Sequence, residues 1–421
     1  MHDVVIVGAG ISGLRCAEIL ANAGLDVVVL EKKETYGGSF GENMEAFPEY
    51  HYSRLDLRVP SKPVNEVKVF CGDGARKREL VIRFEGPVFR IVKRGAATDS
   101  IDCYLYERAL KASAKIRFGT KFEKVRPGSY ENHLQISTSS GDSFESKVLI
   151  ATDGVFSTVR KSCGVTSNQK TEGIGYIAKV EGARLSKSEI VGIFNYSRWP
   201  GSYCYLIGYP EDNFTTVGIA VRPPYANNVL KKYFDSLTDY LPEILGGIRV
   251  VDLTRGFVTI GSRDRPLAAS VGSTGVDNVL FVGEAGGFQD LTLAFGLAPA
   301  LISARFAATS VTEAVNKNNP GLLNNYATRA RRELVRDESR RLSFRYILES
   351  ISEDELSQFL AVIANDPAKV ERVMKTGEYI YNFLPLILRS ASRNPRILTL
   401  PLRFASVSRS LKKRQSSLRN R

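Results

Sequence analysis

The feature that most constrains this chain is a glycine-rich turn between a strand and a helix near its start. An apolar run at residues 3–7 (DVVIV) leads directly into Gly8-Ala9-Gly10-Ile11-Ser12-Gly13. A helical stretch follows, and a second apolar strand at residues 26–30 ends in Glu31, eighteen residues after Gly13. In this order the pattern predicts a βαβ unit that binds a dinucleotide, with the diphosphate at the helix N-terminus and the acid on a ribose.

The composition is typical of a globular protein with two or three domains. The chain has 421 residues, of which 43% are hydrophobic and 24% are charged. No apolar run reaches the ~18–20 residues of a membrane span, and we expect no signal peptide because the first strand begins so early. The five cysteines lack CxxC spacing and the three histidines are not clustered, so we expect reduced thiols, a cytoplasmic protein and no metal site.

The net charge of +13 is concentrated in the last tenth of the chain. After Glu378 there is no Asp or Glu, whereas ten Lys and Arg residues follow, interspersed with apolar groups such as residues 383–388 and 397–402. A basic and partly apolar tail is typical of contact with an anionic membrane surface. Nucleic acid is the rival anion, but the chain has no signature of a nucleic-acid-binding fold. We therefore expect a peripheral protein at the inner face of the membrane and no nucleic-acid partner.

Two further strand-ending turns carry acidic residues. Residues 151–160 (ATDGVFSTVR) follow an apolar strand predicted at 147–151. Residues 279–288 (VLFVGEAGGF) precede a long helix predicted over residues 297–315. Together with the first turn, these motifs resemble, in order and position, the flavoprotein family that contains para-hydroxybenzoate hydroxylase, geranylgeranyl reductases and flavin halogenases. The resemblance implies an α/β fold and FAD as cofactor.

The resemblance also implies how the chain is divided. We expect a discontinuous Rossmann-type FAD-binding domain, an antiparallel substrate-binding sheet and a C-terminal helical segment that ends in the basic tail. The implied boundaries are 1–60, 95–170 and 266–325 for the first, 61–94 and 171–265 for the second, and 326–421 for the third.

Local patterns add detail to this division. An Asp-Gly turn between residues 66–70 and 79–84 predicts a hairpin, and residues 100–113 are predicted to be helical. Residues 170–265 have a strand-rich composition. Residues 325–400 have helical periodicity, with breaks at Asn365-Asp366-Pro367 and at Asn394-Pro395.

The family resemblance assigns cofactor contacts to the three motifs and to the segments that connect them. Glu284 stands where the family usually has Asp, and is expected to hydrogen-bond the ribityl hydroxyls. Gly296 and Leu297 are expected at the flavin pyrimidine edge, where a helix N-terminus would stabilise negative charge on the reduced ring. The full set of implied cofactor-binding residues is Gly8, Ala9, Gly10, Ser12, Gly13, Glu31, Lys32, Gly41, Arg94, Val125, Asp153, Gly154, Glu284, Gly296 and Leu297.

Within this family the chain looks most like the geranylgeranyl reductases. Residues 284–288 (EAGGF) are similar to their GDAAGF pattern, and residues 200–208 (PGSYCYLIG) partly match their PxxYxWxFP element. The match implies that Trp199, Tyr203 and Tyr205 contact the substrate, with both tyrosines as candidate proton donors. Alternating strand aromatics are also typical of an ordinary core, and Trp199 is alternatively a packing residue. Phe40 stands where the reductases often carry Cys.

The predicted function is FAD-dependent hydrogenation of isoprenoid C=C bonds in prenylated, geranylgeranyl-type lipids. The chain has one GxGxxG, so we expect an external electron donor, either NAD(P)H or a ferredoxin-like protein. One alternative is an FAD-dependent monooxygenase or halogenase of an apolar or aromatic substrate, although the WxWxIP motif of halogenases is not visible. A second alternative is a flavin electron carrier to quinone or a non-catalytic lipid-binding homologue. This alternative stays open because Glu284 replaces the usual Asp and because residues 200–208 match the reductase element only in part.

Overall fold

The fold is seen in a computed structural model of the chain. It describes residues 1–37, 41–130, 133–165, 170–185, 188–195, 198–199, 203–221, 230–260, 267–269, 277–290, 295–335, 341, 345 and 352–376.

Strands predominate in the described chain up to residue 281, with helices between some of them, and helices predominate after it. The strands are β1 (His2–Val7), β2 (Val27–Leu30), β3 (Asn43–Pro48), β4 (Ser61–Val64), β5 (Glu66–Cys71), β6 (Arg78–Arg83), β7 (Phe89–Arg94), β8 (Lys115–Arg117), β9 (Phe122–Pro127), β10 (Leu134–Thr138), β11 (Ser143–Ala151), β12 (Lys170–Glu181), β13 (Glu189–Phe194), β14 (Tyr203–Tyr209), β15 (Phe214–Val221), β16 (Arg249–Ile260), β17 (Ala268–Ala269) and β18 (Val279–Phe281). The helices are α1 (Ile11–Asn22), α2 (Glu49–Arg54), α3 (Ile101–Lys111), α4 (Thr158–Ser162), α5 (Leu230–Tyr240), α6 (Pro242–Leu245), α7 (Leu297–Asn316), α8 (Asn324–Ala330), α9 (Glu353–Ala364) and α10 (Pro367–Thr376).

An eight-stranded sheet forms the dinucleotide-binding unit. Its main path is β17-β18-β11-β1-β2-β8, and β10 and β9 are added through β11. The central pairs, β1 with β2 and with β11, and β11 with β18, are parallel. The Val-rich sequence of β1 reflects burial on both faces, because α1, α3 and α7 pack on one face and α4 with β9 and β10 on the other.

A seven-stranded sheet forms the second unit, in the order β16-β12-β15-β14-β13-β5-β6. Its pairs are antiparallel except for β13 with β5, which is parallel, so the predicted antiparallel sheet is a mixed one. The strand-rich prediction for residues 170–265 is confirmed, but it missed α5 and α6, which cover one face of this sheet. The missed signal is the helical spacing of Phe234, Leu237 and Leu241, all of which are buried against the sheet.

The opposite face of the seven-stranded sheet, called the inner face below, packs against a small sheet of β3, β7 and β4 and against α9. Strand β3 is tied to the large sheet by a buried hydrogen bond of 2.6 Å from the Met44 N–H to the Thr216 Oγ1. The predicted hairpin is confirmed as β5 and β6, with Asp73 accepting from the Gly74 N–H in the turn. Strand β3 thus lies where the two large sheets meet.

The C-terminal helices follow the predicted break. Helix α9 ends at Ala364 and α10 begins at Pro367, and α9 starts with a capping box between Ser352 and Glu355. Residues 377–421, with the basic tail and Asn394-Pro395, lie outside the described residues. Within the ranges given above, no helix combines the length and the apolar character needed to cross a bilayer. The predicted α/β fold class, with a Rossmann-type unit, a second sheet and C-terminal helices, is confirmed.

Candidate functional site

The three sequence motifs meet at one edge of the eight-stranded sheet. The last residues of β1, β2, β11 and β18 are in register: Val7 pairs with both Leu30 and Ala151, and Ala151 pairs with Phe281. The chain leaves each of these parallel strands at the same edge, so the segments that begin at Gly8, Glu31, Thr152 and Val282 are neighbours. The carboxyl edge of a parallel sheet is where α/β proteins bind dinucleotides.

The glycine turn is shaped by close backbone approach. Gly8 has a φ of +105°, and a Cβ added to it would lie 2.6 Å from the carbonyl oxygen of Thr152. A Cβ on Gly13 would overlap the carbonyl oxygen of Gly8. Gly10 differs, because a Cβ there would meet nothing within 4 Å. The open side of Gly10, at the N-terminus of α1, is therefore space that a diphosphate would fill.

Glu31 and its neighbours close one side of this space. The Glu31 carboxylate accepts hydrogen bonds from the Ala9 N–H at 2.7 Å and from the Lys33 N–H at 3.0 Å. These bonds join the end of β2 to the glycine turn and fix the carboxylate beside it. Lys32 is exposed. Ser12 is buried, with its Oγ close to Gly283 of the third motif.

Asp153 in the second motif caps a helix. Its Oδ2 accepts from the Thr158 N–H at 2.6 Å and from the Val159 N–H at 3.1 Å, at the start of α4. Its Oδ1 is buried and has no hydrogen-bond partner among the described residues. Burial raises the pKa of this carboxyl, and the hydrogen bonds from Ser157, Val159 and Thr158 oppose the rise. Gly154, next to it, has a φ of +78° and open space on its Cβ side. An orphaned acceptor beside open backbone fits a ligand with hydroxyl donors.

Arg94 is the centre of a buried charge cluster. Its Nε donates to the Asp102 Oδ2 at 2.8 Å, and its Nη1 donates to the Glu45 Oε1 at 2.5 Å. Burial alone would lower the pKa of Arg94, but the charges of Asp102 and Glu45 raise it well above its usual value. The charge of Arg94 also acts on Glu284, whose pKa it lowers. Asp102 additionally accepts from the Gly95 N–H at 3.0 Å, so it holds the end of β7 in place.

Glu284 lies beside the start of the long helix α7. Its Oε1 is 4.0 Å from where a Cβ of Gly296 would be, and Gly296 is the N-terminal capping position of α7, without a side-chain cap. Leu297 is buried. Burial, followed by the neighbouring charge of Glu45, raises the pKa of Glu284 to about 7, and Arg94 acts in the opposite direction. The helix N-terminus provides N–H donors for a carboxylate or another electron-rich group.

The remaining two predicted cofactor contacts lie apart from this centre. Gly41 has a φ of +62°, and a Cβ on it would lie 2.5 Å from the Asp252 Oδ2, so it contacts the seven-stranded sheet. Val125 is buried in β9, where its N–H donates to the Ser162 Oγ at 3.0 Å. Phe40, at the reductases' Cys position, lies outside the described residues. The adenine contact predicted for Val125 remains a prediction.

The predicted substrate residues separate onto two faces of the seven-stranded sheet. Tyr205 is half-buried on the inner face, with its ring lying over Gly218, where any Cβ would overlap it. Trp199 is 1% exposed and packs on the opposite face, where its indole N–H donates to the Ser236 Oγ at 2.8 Å and its ring meets Tyr240 edge-on. This placement favours the packing role for Trp199 and does not support a substrate contact. For Tyr203 the structure describes the backbone, paired with Ala220.

Several residues of this region were not predicted from the sequence. Glu45 and Asp102, the partners of Arg94, follow no motif, although Asp102 lies in the first turn of a helix capped by Ser100. Phe295 is half-buried on the inner face and its ring is 5.6 Å from that of Phe89. These residues connect the start of α7 to the apolar inner face. In the described part of the chain, no group of His, Cys, Asp and Glu is arranged to hold a metal ion.

Comparisons with known proteins show what this chain is similar to. The family model of an NAD(P)-binding Rossmann-like domain matches residues 6–57. The digeranylgeranylglycerophospholipid reductase of Methanocaldococcus jannaschii is 27% identical over 365 residues, which cover 85% of this chain and 89% of that protein. The protein of the same name from Methanosarcina mazei is 23% identical over 330 residues, 75% of this chain and 76% of its own.

Two solved structures have the same fold. A geranylgeranyl bacteriochlorophyll reductase-like protein from Thermoplasma acidophilum matches with a TM-score of 0.76 and 20% identity, over 91% of this chain and 99% of that one. A halogenase in complex with FAD matches with a TM-score of 0.68 and 13% identity, over 99% and 96% of the two chains. At these identities the structures establish the fold, and the curated relatives confirm the predicted similarity to the geranylgeranyl reductases.

Proposed function

We propose that this protein is an FAD-dependent reductase that hydrogenates isoprenoid C=C bonds of prenylated lipids such as digeranylgeranylglycerophospholipids. The observation that carries the proposal is the junction at the start of α7. There the dinucleotide-binding edge, through Glu284 and Gly296, adjoins the apolar inner face, through Phe295. The similarity to named reductases over 85% of the chain supports the same conclusion.

The residues at the sheet edge fit FAD. The open side of Gly10 and the N-terminus of α1 would hold the diphosphate, and Glu31 would hold a ribose. Glu284 and the start of α7 would border the part of the cofactor nearest the inner face. When bound and reduced, FAD supplies the hydride for one carbon of the double bond, while the protein provides binding, orientation and a proton for the other.

The inner face fits an apolar substrate. The half-buried rings of Tyr205, Tyr209 and Phe295 lie among buried aliphatic side chains of the seven-stranded sheet, the three-stranded sheet and α9. An isolated C=C bond offers no polar handle, so the chain must be held by apolar contact in a site that excludes water. Tyr205 is our candidate for the proton donor at this face, because it carries a hydroxyl at the border of the cluster.

The experiment that tests this function separates reduction from oxygenation. The purified protein is reconstituted with FAD, reduced without oxygen, and mixed with geranylgeranylated glycerophospholipid in detergent. We expect the lipid to reoxidise the flavin and to gain two hydrogens for each bond reduced, as measured by mass spectrometry. Reoxidation by oxygen alone, with a hydroxylated or halogenated product, would contradict the reductase and favour the monooxygenase or halogenase alternative, whose fold this chain shares. Reduced flavin that passes electrons only to quinone would favour the carrier.

Two partners complete the proposal, and both rest on the sequence. The electron donor is external, because residues 6–57 contain the one GxGxxG motif of the sequence and we assign that motif to FAD.

The basic tail binds an anionic membrane, where a prenyl lipid is delivered. Each Lys or Arg near such a surface contributes about 1 kcal/mol to the free energy of membrane binding. Liposome co-sedimentation tests this role of the tail. The purified full chain and a version truncated after Glu378 are each mixed with anionic or neutral vesicles. Equal binding of both versions to anionic vesicles would exclude the tail as the membrane-binding segment.

A further inference from the structure

Glu284 is a half-buried residue in a cluster with more negative than positive groups. The guanidinium of Arg94 pairs with two carboxyls, Glu45 and Asp102, and the charges of Arg94 and Glu45 act on a third carboxyl, Glu284. Together with Arg94, the three carboxyls come from four different segments of the chain, so the cluster exists only in the folded protein. If all three carboxyls were ionised, the cluster would carry excess negative charge away from water, which is costly.

Among the described residues, charged groups on the elements that adjoin this turn are engaged with other partners. Arg160, from α4, donates to the carbonyl oxygen of Ala285 at 2.6 Å, and its charge interacts with that of Asp153. On α1, Arg15 and Glu18 pair with each other at 2.6 Å. The first turn of α7 contains no acidic or basic residue. The charge balance around Glu284 is therefore set mainly by Glu45 and Arg94.

The segment Gly283-Glu284 lies close to both helix N-termini of the cofactor edge. Gly283 abuts the start of α1, since a Cβ on Gly283 would lie 2.6 Å from the Ser12 Oγ. The Glu284 carboxyl itself lies at the start of α7, 4.0 Å from the Cβ position of Gly296. A carboxyl at the start of α7 responds to charge added to a ligand held there.

We propose that Glu284 takes up a proton when the bound flavin is reduced. The inference rests on the proposed function only in requiring that this edge holds FAD. Two electrons and one proton added to FAD leave one additional negative charge on the cofactor. The carboxylate of Glu284 then binds one further proton, forming a single O–H bond, and this removes one negative charge from the cluster. Because the pKa of Glu284 is already raised to about 7, a nearby negative charge suffices to protonate it near neutral pH.

The test counts protons without measuring turnover. The reduction potential of the FAD-loaded full chain is measured by equilibration with a reference dye, with xanthine and xanthine oxidase as electron donor, between about pH 7 and 8.5. We expect about two protons to be bound per two electrons in the unmodified protein near pH 8, where Glu284 is largely ionised before the flavin is reduced, and about one in Glu284→Gln. Glu284→Asp, which keeps a carboxyl, should retain the second proton. Glu313→Gln, a change at the far end of α7, serves as the matched control and should behave like the unmodified protein.

A second variant covers the case in which Glu284→Gln does not retain FAD. The charge of Glu45 raises the pKa of Glu284, so Glu45→Gln should move the uptake of the second proton to lower pH. The same number of protons in the unmodified protein and in Glu284→Gln would overturn the role of Glu284, as would an unshifted profile in Glu45→Gln. Neither result would contradict the proposed function. Failure of the unmodified chain to bind FAD would overturn the proposed function instead.

Discussion

The edge of the eight-stranded sheet and the inner face of the seven-stranded sheet are built from different kinds of group. At the edge, backbone atoms of Gly8, Gly13 and Thr152 approach one another so closely that a single methyl group would not fit. On the inner face, side chains such as Tyr205 and Phe295 form the surface and remain half-buried. The comparison teaches that at Gly8 and Gly13 the backbone itself excludes larger residues, whereas on the inner face the surface is set by side chains that can be exchanged without a backbone clash.

The largest expected effect comes from Gly13→Ala. Its Cβ would overlap the Gly8 carbonyl oxygen, so the turn must open, and we expect a loss of about 1–3 kcal/mol or more in unfolding free energy together with loss of FAD. Gly10→Ala is the control, because its Cβ meets nothing within 4 Å. Its free energy of unfolding should lie within about 0.5 kcal/mol of that of the unmodified protein, but it should bind FAD more weakly. Denaturant unfolding and FAD titration check both variants, and equal stability of the two would show that the edge is less tightly packed than the comparison requires.

The next effect concerns the pH dependence of stability at the junction of the two regions. The pKa of Glu284 in the folded chain is about 7, above the usual 4.5, so folding favours its protonated form. Its contribution is fully present below about pH 4.5 and is lost as the pH rises through 7. Between about pH 5 and 8, the free energy of unfolding of the cofactor-free protein should fall by on the order of 2–3 kcal/mol relative to that of Glu284→Gln. Denaturant unfolding of both at each pH measures the difference, and parallel pH profiles would contradict the burial of an ionisable Glu284.

A smaller effect is expected for Glu31→Gln. The Glu31 carboxylate holds the Ala9 and Lys33 N–H groups beside the proposed ribose position, and a hydrogen bond to a charged group contributes about 1.5–3 kcal/mol. The FAD dissociation constant should rise by about tenfold or more. Glu34→Gln, at an exposed position of the same turn, is the matched control and should leave the constant unchanged. An unaltered affinity in Glu31→Gln would exclude Glu31 as the ribose acid.

The smallest effects should separate the two faces of the seven-stranded sheet. Trp199→Phe removes the hydrogen bond to Ser236 and part of a buried ring, so it should cost about 1–2 kcal/mol of stability without slowing flavin reoxidation by lipid. Tyr205→Phe removes a hydroxyl from the inner face, and should slow that reoxidation with little change in stability. Stopped-flow absorbance and thermal unfolding distinguish the two. Slower reoxidation in Trp199→Phe alone would restore Trp199 as a substrate contact.

Much of the cofactor edge was predictable because its signals are local. The alternation of an apolar strand, a glycine turn and a helix at residues 3–22 was sufficient for β1 and α1, and parallel pairing then required the acids after β2, β11 and β18 to lie at the same edge. The hairpin turn at Asp73 and the helix break at Pro367 were equally local. Helices α5 and α6 were missed because they interrupt a long strand-rich region.

By itself the sequence determined the fold class, the order of the motifs and a set of candidate residues for a dinucleotide site. The tertiary structure decided which of these residues share an environment. Arg94 lies with Glu45, Asp102 and Glu284, and Trp199 lies on the opposite face of the sheet from Tyr205. The physical reason is that turns and strand ends depend on neighbours in the sequence. The burial of a charge and the face of a side chain depend instead on segments that only packing brings together.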